Sequence, residues 1–202
     1  KRDFSRITTP LKKFGAKFYY KTKNKLPLSI LGAKSLEGIN YLENKGSAQC
    51  KSSVMLAALN ASGTTSIKAK KSRDHSELLF KYLKIPTKIK KTQNYDFIDI
   101  KRPTKIKAFN YRIPADISSS AFFIVLTILA DNSKLLIKNV NINPSRTGVI
   151  TILNKMGGKI QLKNRRTYKG EKIADIYVKS IKSFKPINCP IKLNSSAIDE
   201  FL

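Results

Sequence analysis

An internal repeat of about 70 residues constrains the fold of this 202-residue chain more than any other feature. In both copies a helix that begins at a pair of serines precedes a strand and a second helix that begins at Ser-Arg. The landmarks are Ser52, Ile67, Arg73 and Leu83 in the first copy, and Ser119, Ile137, Arg146 and Met156 in the second. Arg146 therefore follows Arg73 by 73 residues, as Met156 follows Leu83. Such a period indicates one module of alternating strands and helices that is stacked several times.

The helices of this module are unusually apolar for an α/β protein. The stretch from Ala121 to Ala130 contains almost no polar side chain. A helix that is apolar all round is typical of a buried position. We therefore expect this helix to be buried on most sides, with the sheets outside the helices, which is the reverse of a TIM barrel.

The charge of the chain is strongly unbalanced. There are 40 Lys and Arg residues and 13 Asp and Glu residues, which gives a formal net charge of +27. Such a charge attracts polyanions, phosphorylated metabolites or anionic membranes. The lysines are scattered, however, and no RRM, KH or zinc-finger pattern is present. This distribution favours a solvated basic surface, and no nucleic-acid partner is expected.

Cysteine, histidine and hydropathy narrow the remaining classes. Two cysteines, Cys50 and Cys189, and one histidine form neither a disulfide framework nor a metal cluster, so no metal and a reduced cytoplasmic setting are expected. The longest apolar run is about half the roughly 18 residues that a membrane span requires, so no membrane is predicted. No signal peptide is visible, and the chain begins with Lys1 rather than Met, which indicates a piece of a longer protein.

The segment from Gly46 to Leu59 is the best candidate for a binding site. Small hydroxyl residues and Gln49 precede an apolar helix, where free backbone N–H groups and the positive end of the helix dipole meet. Such a helix start suits an anion, and Lys51 adds a formal positive charge. A plain N-cap before a buried helix is the alternative, with Cys50 as a small core residue.

Seven sequence blocks cover the whole chain in order. They are Arg2-Asp3-Phe4-x-Arg6-Ile7-x-x-Pro10-Leu11-x-x-Phe14-Gly15-Ala16, Leu26-Pro27-Leu28-x-Ile30-x-Gly32, Gly46-Ser47-Ala48-Gln49-Cys50-Lys51-Ser52, Ser72-Arg73-Asp74-His75-Ser76-Glu77, Asp116-Ile117-Ser118-Ser119-Ser120-Ala121-Phe122-Phe123, Asn143-Pro144-Ser145-Arg146-Thr147-Gly148 and Ala197-Ile198-Asp199-Glu200. Together these blocks resemble one enzyme family, 5-enolpyruvylshikimate-3-phosphate synthase. The Ser-Ala-Gln-x-Lys-Ser and Ser-Arg-Asp-His forms are similar to the bacterial subgroup that includes glyphosate-tolerant members.

The resemblance implies an α/β fold of two domains, each an inside-out barrel of repeated β-α-β-α-β-β units. Residues 1–114 would be the later part of one domain, and residues 115–202 the early part of the second. Both domains would be incomplete in this chain. The crossover between them is expected near Pro114.

The resemblance also implies a reaction of the shikimate pathway of aromatic amino acid biosynthesis. The enolpyruvyl group of phosphoenolpyruvate is transferred to the 5-hydroxyl of shikimate 3-phosphate, and phosphate is released. The family requires no cofactor, and a cytoplasmic monomer is expected. The chain alone is predicted to be inactive, because phosphate-binding segments of the family lie outside it.

Five residues match family contacts to shikimate 3-phosphate. Ser47 would contact the phosphate through its hydroxyl and Ala48 through its backbone, and Ser72 and Arg73 would add further contacts. Gln49 matches the family glutamine that touches both substrates, which suits an amide because it both donates and accepts hydrogen bonds.

Two further matches concern phosphoenolpyruvate and proton transfer. Arg2 matches the arginine that holds phosphoenolpyruvate, although Asp3 stands where the family usually has proline, and its carboxylate either partly neutralises Arg2 or faces solvent. Asp199 matches the carboxylate near the 5-hydroxyl that accepts its proton. Without the resemblance, an aspartate at position 199 is more typical of a helix cap.

Glu77 is predicted to be a carboxylate in the first turn of a helix, where it interacts favourably with the helix dipole.

Two other functions compete with this interpretation. UDP-N-acetylglucosamine 1-carboxyvinyltransferase shares the fold and phosphoenolpyruvate. It lacks the Ser-Ala-Gln-x-Lys-Ser block, and its loop cysteine has no counterpart in Cys50 or Cys189. A basic nucleic-acid-binding protein is suggested only by the net charge.

Overall fold

The computed structural model describes residues 3–200, which divide into two compact units between Ala108 and Phe109. Each unit has its own cluster of buried apolar side chains. The division lies a few residues before Pro114, where the sequence places the boundary. The assignment of the two units to parts of two barrel domains stays a prediction.

The first unit contains three helices and eight strands among its described residues. The helices and strands alternate along most of this unit, as the repeat predicts. They are α1 (Ser5–Lys13), β1 (Lys17–Tyr20), β2 (Leu28–Leu31), β3 (Leu36–Glu37), β4 (Asn40–Glu43), α2 (Ala48–Ala58), β5 (Ala61–Ser62), β6 (Thr64–Lys70), α3 (His75–Tyr82), β7 (Thr87–Lys91) and β8 (Tyr95–Lys101).

The main sheet of the first unit has the strand order β4-β6-β8-β7. Strands β4 and β6 are parallel, and the other pairs are antiparallel. Burial alternates along β6 and β8, so that Ile67, Ile98 and Ile100 point to the same core. The core side of the sheet packs against α2, which contributes Val54 and Met55. Lysines occupy three of the six exposed positions of β6 and β8.

The second unit has the same succession of elements. Its helices are shorter toward the C-terminus, where two 3₁₀ turns flank the last α-helix. The elements are α4 (Ile117–Leu129), β9 (Lys134–Asn141), α5 (Gly148–Lys155), β10 (Lys159–Tyr168), β11 (Glu171–Lys179), a 3₁₀ turn (Ile191–Leu193), α6 (Asn194–Ala197) and a second 3₁₀ turn (Ile198–Glu200).

Strand pairing confirms the internal repeat. In the second unit the antiparallel order β10-β11-β9 matches β7-β8-β6, and a parallel bridge between Ala115 and Val140 takes the place of the pair β4 and β6. Helix α5 begins and ends 73 residues after α3. The β-α-β-α-β-β module predicted from the sequence is therefore present in both units.

Helix α4 departs from the sequence-based expectation. One face is buried through residues such as Ile124 and Ile128, but the opposite face is exposed. Its exposed apolar residues are Phe122 (70%), Phe123 (61%), Leu126 (65%) and Leu129 (63%). The prediction that Ala121 to Ala130 is buried on most sides is thus wrong for the described residues, because the sheet β10-β11-β9 covers only one face.

None of the helices within residues 3–200 combines the length and the apolar character that crossing a membrane requires.

Candidate functional site

The N-terminus of α2 combines a glycine turn, a neutral serine N-cap and a first turn without acidic residues. Gly46 precedes it with φ +69°, a conformation that favours glycine, and a Cβ there would approach the Lys71 carbonyl oxygen to 3.2 Å. Ser47 is the N-cap, and its Oγ accepts a hydrogen bond from the Cys50 N–H at 3.3 Å. The first turn contains no acidic residue, so no side chain of that turn neutralises the helix dipole.

A guanidinium reaches this N-cap from the neighbouring helix. Nη2 of Arg6, on α1, donates to Oγ of Ser47 at 3.1 Å, and α1 packs against α2. Arg6 is exposed, so its charge remains accessible to a ligand. Sequence reasoning did not assign Arg6 a role, although it lies in the same block as Arg2. The only signal is that an arginine is suited to phosphate recognition.

The segment before α3 lies beside this helix start. Oγ of Ser52 and Oγ of Ser76 are 2.6 Å apart and share a hydrogen bond, and Nζ of Lys51 donates to the Arg73 carbonyl at 3.0 Å. Oγ of Ser72 is buried and has no hydrogen-bond partner within residues 3–200. The structure thus brings the segment of Ser72 and Arg73 next to the helix that carries Ser47, Ala48 and Gln49.

Lys51 differs from what the sequence suggests. Lys51 is fully buried, and its Nζ lies 2.5 Å from Oε1 of Glu77, which is itself 3% exposed. Lys51 therefore adds no exposed charge at the helix start. Glu77 lies in the first turn of α3, as predicted, and is in addition the partner of this buried ammonium group. Cys50 is buried, as expected of a small core residue.

The corresponding helix start in the second unit carries its own anion. Asp116 is the N-cap of α4, and its Oδ2 accepts from the backbone N–H and the hydroxyl of Ser119, both at 3.0 Å. Its Oδ1 accepts from Nη2 of Arg146 at 2.8 Å. Burial would raise the pKa of Asp116, but these hydrogen bonds and the Arg146 charge outweigh burial and lower it below its ordinary value of 3.8.

The predicted proton acceptor, Asp199, lies in the second unit. It is exposed and, together with Glu200, lines a cavity of about 190 Å³ with Ser118, Ala121, Phe122, Val125 and Val149. Glu200 Oε1 accepts a hydrogen bond of 2.5 Å from Ser118 Oγ, which in turn accepts from Arg146 at 2.6 Å. A carboxylate in such a cavity is placed to accept a proton from a bound hydroxyl group.

Close packing positions the segment that carries Asp199. Gly148 begins α5, and a Cβ on it would lie 2.4 Å from Oγ of Ser196 and 2.9 Å from the Ser196 carbonyl carbon. Only a residue without a side chain allows α5 and α6 to approach in this way. The position of Asp199 therefore depends on Gly148.

The predicted site residues fall into three groups. Ser47, Ala48, Gln49, Ser72 and Arg73 are brought together in the first unit, and Asp199 belongs to the second. Arg2 lies outside the described residues. Its neighbour Asp3 is exposed and accepts a 2.6 Å hydrogen bond from the Ser5 N–H, which lowers the pKa of Asp3.

Similarity to solved structures first defines the class of protein. The enolpyruvyl transferase NikO from Streptomyces tendae superposes with a TM-score of 0.67 over 92% of this chain and 44% of its own length, at 12% identity, and so shows the fold alone. EPSP synthase from Acinetobacter baumannii superposes with a TM-score of 0.83 over 100% of this chain and 45% of its own, at 38% identity. The fold is that of the enolpyruvyl transferases, which confirms the predicted α/β class.

Sequence similarity then identifies the family. The model of the EPSP synthase family (3-phosphoshikimate 1-carboxyvinyltransferase) matches residues 1–194, and the chain belongs to this family. The 3-phosphoshikimate 1-carboxyvinyltransferase of Hydrogenovibrio crunogenus is 41% identical over 100% of this chain and 45% of its own length. That of a Thermoanaerobacter species is 42% identical over 89% of the chain and 42% of its own length. The chain thus spans about half the length of these relatives.

Proposed function

We propose that this chain forms part of an enzyme that transfers the enolpyruvyl group of phosphoenolpyruvate to the 5-hydroxyl of shikimate 3-phosphate. The hydroxyl oxygen forms a bond to the enolpyruvyl carbon, the C–O bond to the phosphate of phosphoenolpyruvate breaks, and phosphate leaves. The hydroxyl proton passes to a base. Family membership supports this reaction, and the site in the first unit supplies the physical argument.

The observation that carries the proposal is the helix start at Ser47. Its first turn lacks acidic residues, and the Arg6 guanidinium lies at its N-cap. Phosphate binds well where free N–H groups, a helix dipole and a guanidinium converge. We assign Ser47, Ala48, Ser72 and Arg73 to the phosphate of shikimate 3-phosphate. The buried hydroxyl of Ser72, which has no partner within the described residues, is suited to donate to such an oxygen.

Three further residues receive roles in the proposed reaction. Gln49 is exposed beside the N-cap, where its amide is available to both substrates. Asp199 accepts the proton of the 5-hydroxyl, in keeping with its place in a cavity that also contains Glu200. Arg2 holds phosphoenolpyruvate, an assignment that rests on the family resemblance alone. We place the enzyme in the cytoplasm as a monomer without a cofactor.

The two competing functions receive less support. The relatives named above are 3-phosphoshikimate 1-carboxyvinyltransferases, and none of those named is a UDP-N-acetylglucosamine 1-carboxyvinyltransferase. Nucleic-acid binding rests on the net charge of +27 alone. It predicts an affinity that falls steeply with added salt, whereas binding of shikimate 3-phosphate should be specific and saturable.

The decisive experiment measures phosphate release from the two substrates by the natural full-length polypeptide that contains these 202 residues. We expect Gln49→Ala and Asp199→Asn each to lower kcat/KM by roughly 100-fold or more, as is usual for groups that act on the reacting atoms. Gln161→Ala and Asp131→Asn are matched controls on exposed positions of the second unit and should retain activity. Unchanged rates in both site variants would refute the assignments.

A further inference from the structure

The buried ion pair of Lys51 and Glu77 is not part of the proposed reaction, yet it lies directly beneath the phosphate site. We propose that this pair positions the segment of Ser72 and Arg73 for phosphate binding, and that it is not needed to hold the module together. The inference rests on the proposed function in that it concerns the same site. Lys51 and Glu77 are positioning residues, because neither reaches solvent.

The geometry connects both halves of the site through one ammonium group. Lys51 lies one turn into α2, where its N–H donates to the Ser47 carbonyl. Its Nζ contacts Oε1 of Glu77 on α3 at 2.5 Å and donates to the Arg73 carbonyl at 3.0 Å. A single buried side chain thus joins the helix that begins at Ser47 to the backbone of Arg73. A charge-assisted hydrogen bond in a buried site is stronger and more directional than a neutral one.

The second unit shows that the module folds without such a pair. The fourth residue after the N-cap is Lys51 in α2 and Ser120 in α4, and the third residue after the N-cap is Glu77 in α3 and Ile150 in α5. Ser120 and Ile150 are also buried, at 5% and 6% exposure. A neutral and an apolar residue therefore occupy the same places in the same module.

The desolvation of the two charges argues against a purely stabilising role. Burying an ammonium and a carboxylate costs free energy that their attraction often fails to recover, and apolar pairs of similar volume are often as stable or more so. Oε1 of Glu77 is in ion-pair contact with Lys51, but neither Oε1 nor Oε2 has a partner with hydrogen-bond geometry within residues 3–200, so this pair lacks the bonds that would offset the cost. What the pair adds over Ser120 and Ile150 is the donor to the Arg73 carbonyl.

Two variants separate positioning from stability. In Lys51→Met/Glu77→Leu the buried volume is kept while both charges and the donor to Arg73 are removed. We expect its Tm to stay within a few degrees of the parent and its KM for shikimate 3-phosphate to rise roughly tenfold. KM for phosphoenolpyruvate and kcat should change less than about twofold. The reason is that the lost contact to the phosphate of shikimate 3-phosphate is equally strong in the bound substrate and in the transition state. Glu77→Gln keeps Lys51 as a donor, so its Tm should fall while KM changes little.

Val54→Ala is the control for general destabilisation. Val54 lies on the same helix and is fully buried in the apolar core, and it carries no charge and no hydrogen-bond donor for the Arg73 carbonyl. The cavity left by the substitution should lower Tm without raising KM. If Lys51→Met/Glu77→Leu keeps the parental KM, or if Val54→Ala raises KM equally, positioning by the pair is refuted.

Hydrogen exchange provides a measurement that does not require the proposed function. In Lys51→Met/Glu77→Leu the amides of residues 72–74 should exchange at least tenfold faster than in the parent, while those of β6 stay protected. Unchanged exchange at residues 72–74 would refute the inference. If the parent protein fails to bind shikimate 3-phosphate, the proposed function is refuted, and the exchange rates alone then decide the role of the pair.

Discussion

Helices α2 and α4 occupy the same place in the module of the two units, but their N-cap residues differ in charge. The N-cap of α2 is the neutral Ser47, and that of α4 is the carboxylate of Asp116. Both N-caps accept a hydrogen bond from a guanidinium, Arg6 at 3.1 Å in the first unit and Arg146 at 2.8 Å in the second.

Under the proposed assignment, this difference makes the helix start of the first unit a phosphate site and that of the second unit a structural cap. In the second unit the protein provides the anion that the helix dipole and Arg146 attract. In the first unit the same position holds a hydroxyl group, so an external anion can meet both the dipole and the guanidinium. A single N-cap residue thus distinguishes a structural helix start from a candidate phosphate site.

Ser47→Asp should have the largest effect, because it gives the first unit the carboxylate of the second. Aspartate is as good an N-cap as serine, and here Arg6 is available to pair with it, so stability should be retained or slightly increased. A carboxylate at the phosphate position should weaken shikimate 3-phosphate binding by on the order of 100-fold, because like charges in contact cost several kcal/mol. Isothermal calorimetry measures the affinity.

Gln161→Glu adds the same charge at an exposed position of β10 and is the control for net charge. Its affinity for shikimate 3-phosphate should equal that of the parent. If Ser47→Asp also binds like the parent, the contrast between the two helix starts has no bearing on phosphate.

Gly148→Ala should be the next largest perturbation, and it is confined to the second unit. The added methyl group would collide with Ser196 and Ala197, so α6 must shift, at a cost of about 1–3 kcal/mol. Urea unfolding measures this loss, and kcat should fall because Asp199 moves with α6. Gly32→Ala is the control, because a methyl group there meets no neighbouring atom, and it should leave kcat unchanged. Gly157→Ala is unsuitable as a control, because the positive φ of Gly157 would strain any other residue. A fully active Gly148→Ala protein would disprove this dependence.

Arg6→Ala tests whether Arg6 attracts the phosphate of the ligand in the way that Arg146 attracts the carboxylate of Asp116. We expect the affinity for shikimate 3-phosphate to fall by roughly fivefold, a modest effect because Arg6 is exposed and its charge is screened. The loss should shrink at high salt, which a calorimetric titration at two salt concentrations would show. Arg102→Ala removes an equally exposed charge and should have no effect. A loss that does not depend on salt would argue against a direct electrostatic role.

Asp116→Asn should have the smallest effect, and it should depend on pH. Asparagine can still cap the helix but cannot form the ion pair with Arg146. Because this ion pair is partly exposed, the free energy of unfolding near neutral pH should fall by at most about 1 kcal/mol. The pKa of Asp116 is lower in the folded protein than its ordinary 3.8, so the parent gains stability from ionisation above 3.8.

This contribution disappears as the pH falls below 3.8 through the lowered pKa, because protonation then favours the unfolded chain. The difference in free energy of unfolding between the parent and Asp116→Asn should therefore narrow in that range. Denaturant unfolding at pH 7 and at pH 3 would measure it. An equal difference at both values would show that the carboxylate charge does not stabilise α4.

The repeat, the order of elements and the helix start at Ser47 were all predictable from the sequence. They depend on local patterns: small polar residues before apolar stretches, glycines after them and the alternation of β6 and β8. The serine pairs at Ser52 and Ser119 were wrong as helix starts, because α2 and α4 begin earlier, after the N-caps Ser47 and Asp116. The 73-residue separation of Arg73 and Arg146 equals the separation of α3 and α5 in the structure. The family resemblance added Ser72 and Gln49, which no local pattern distinguishes from other polar residues.

The partners of charged side chains were not predictable in this way. Lys51 was expected to add a positive charge at the helix start, and Glu77 was correctly placed in the first turn of α3, but no pattern indicated that the two lie 2.5 Å apart in the core. The exposed face of α4 was also missed, because apolar composition shows that a helix favours burial and not which elements cover it. Such outcomes depend on contacts between residues far apart in the sequence.

By itself, the sequence determined the module, its period and whether each helix starts at a neutral or an acidic residue. These features follow from hydrophobic periodicity and capping chemistry within a few residues. Only the tertiary structure decided that Arg6 reaches Ser47, that Arg146 reaches Asp116 and that Lys51 supports Arg73. The reason is physical: a long charged side chain finds its partner across neighbouring elements, and the packing of those elements sets the distance.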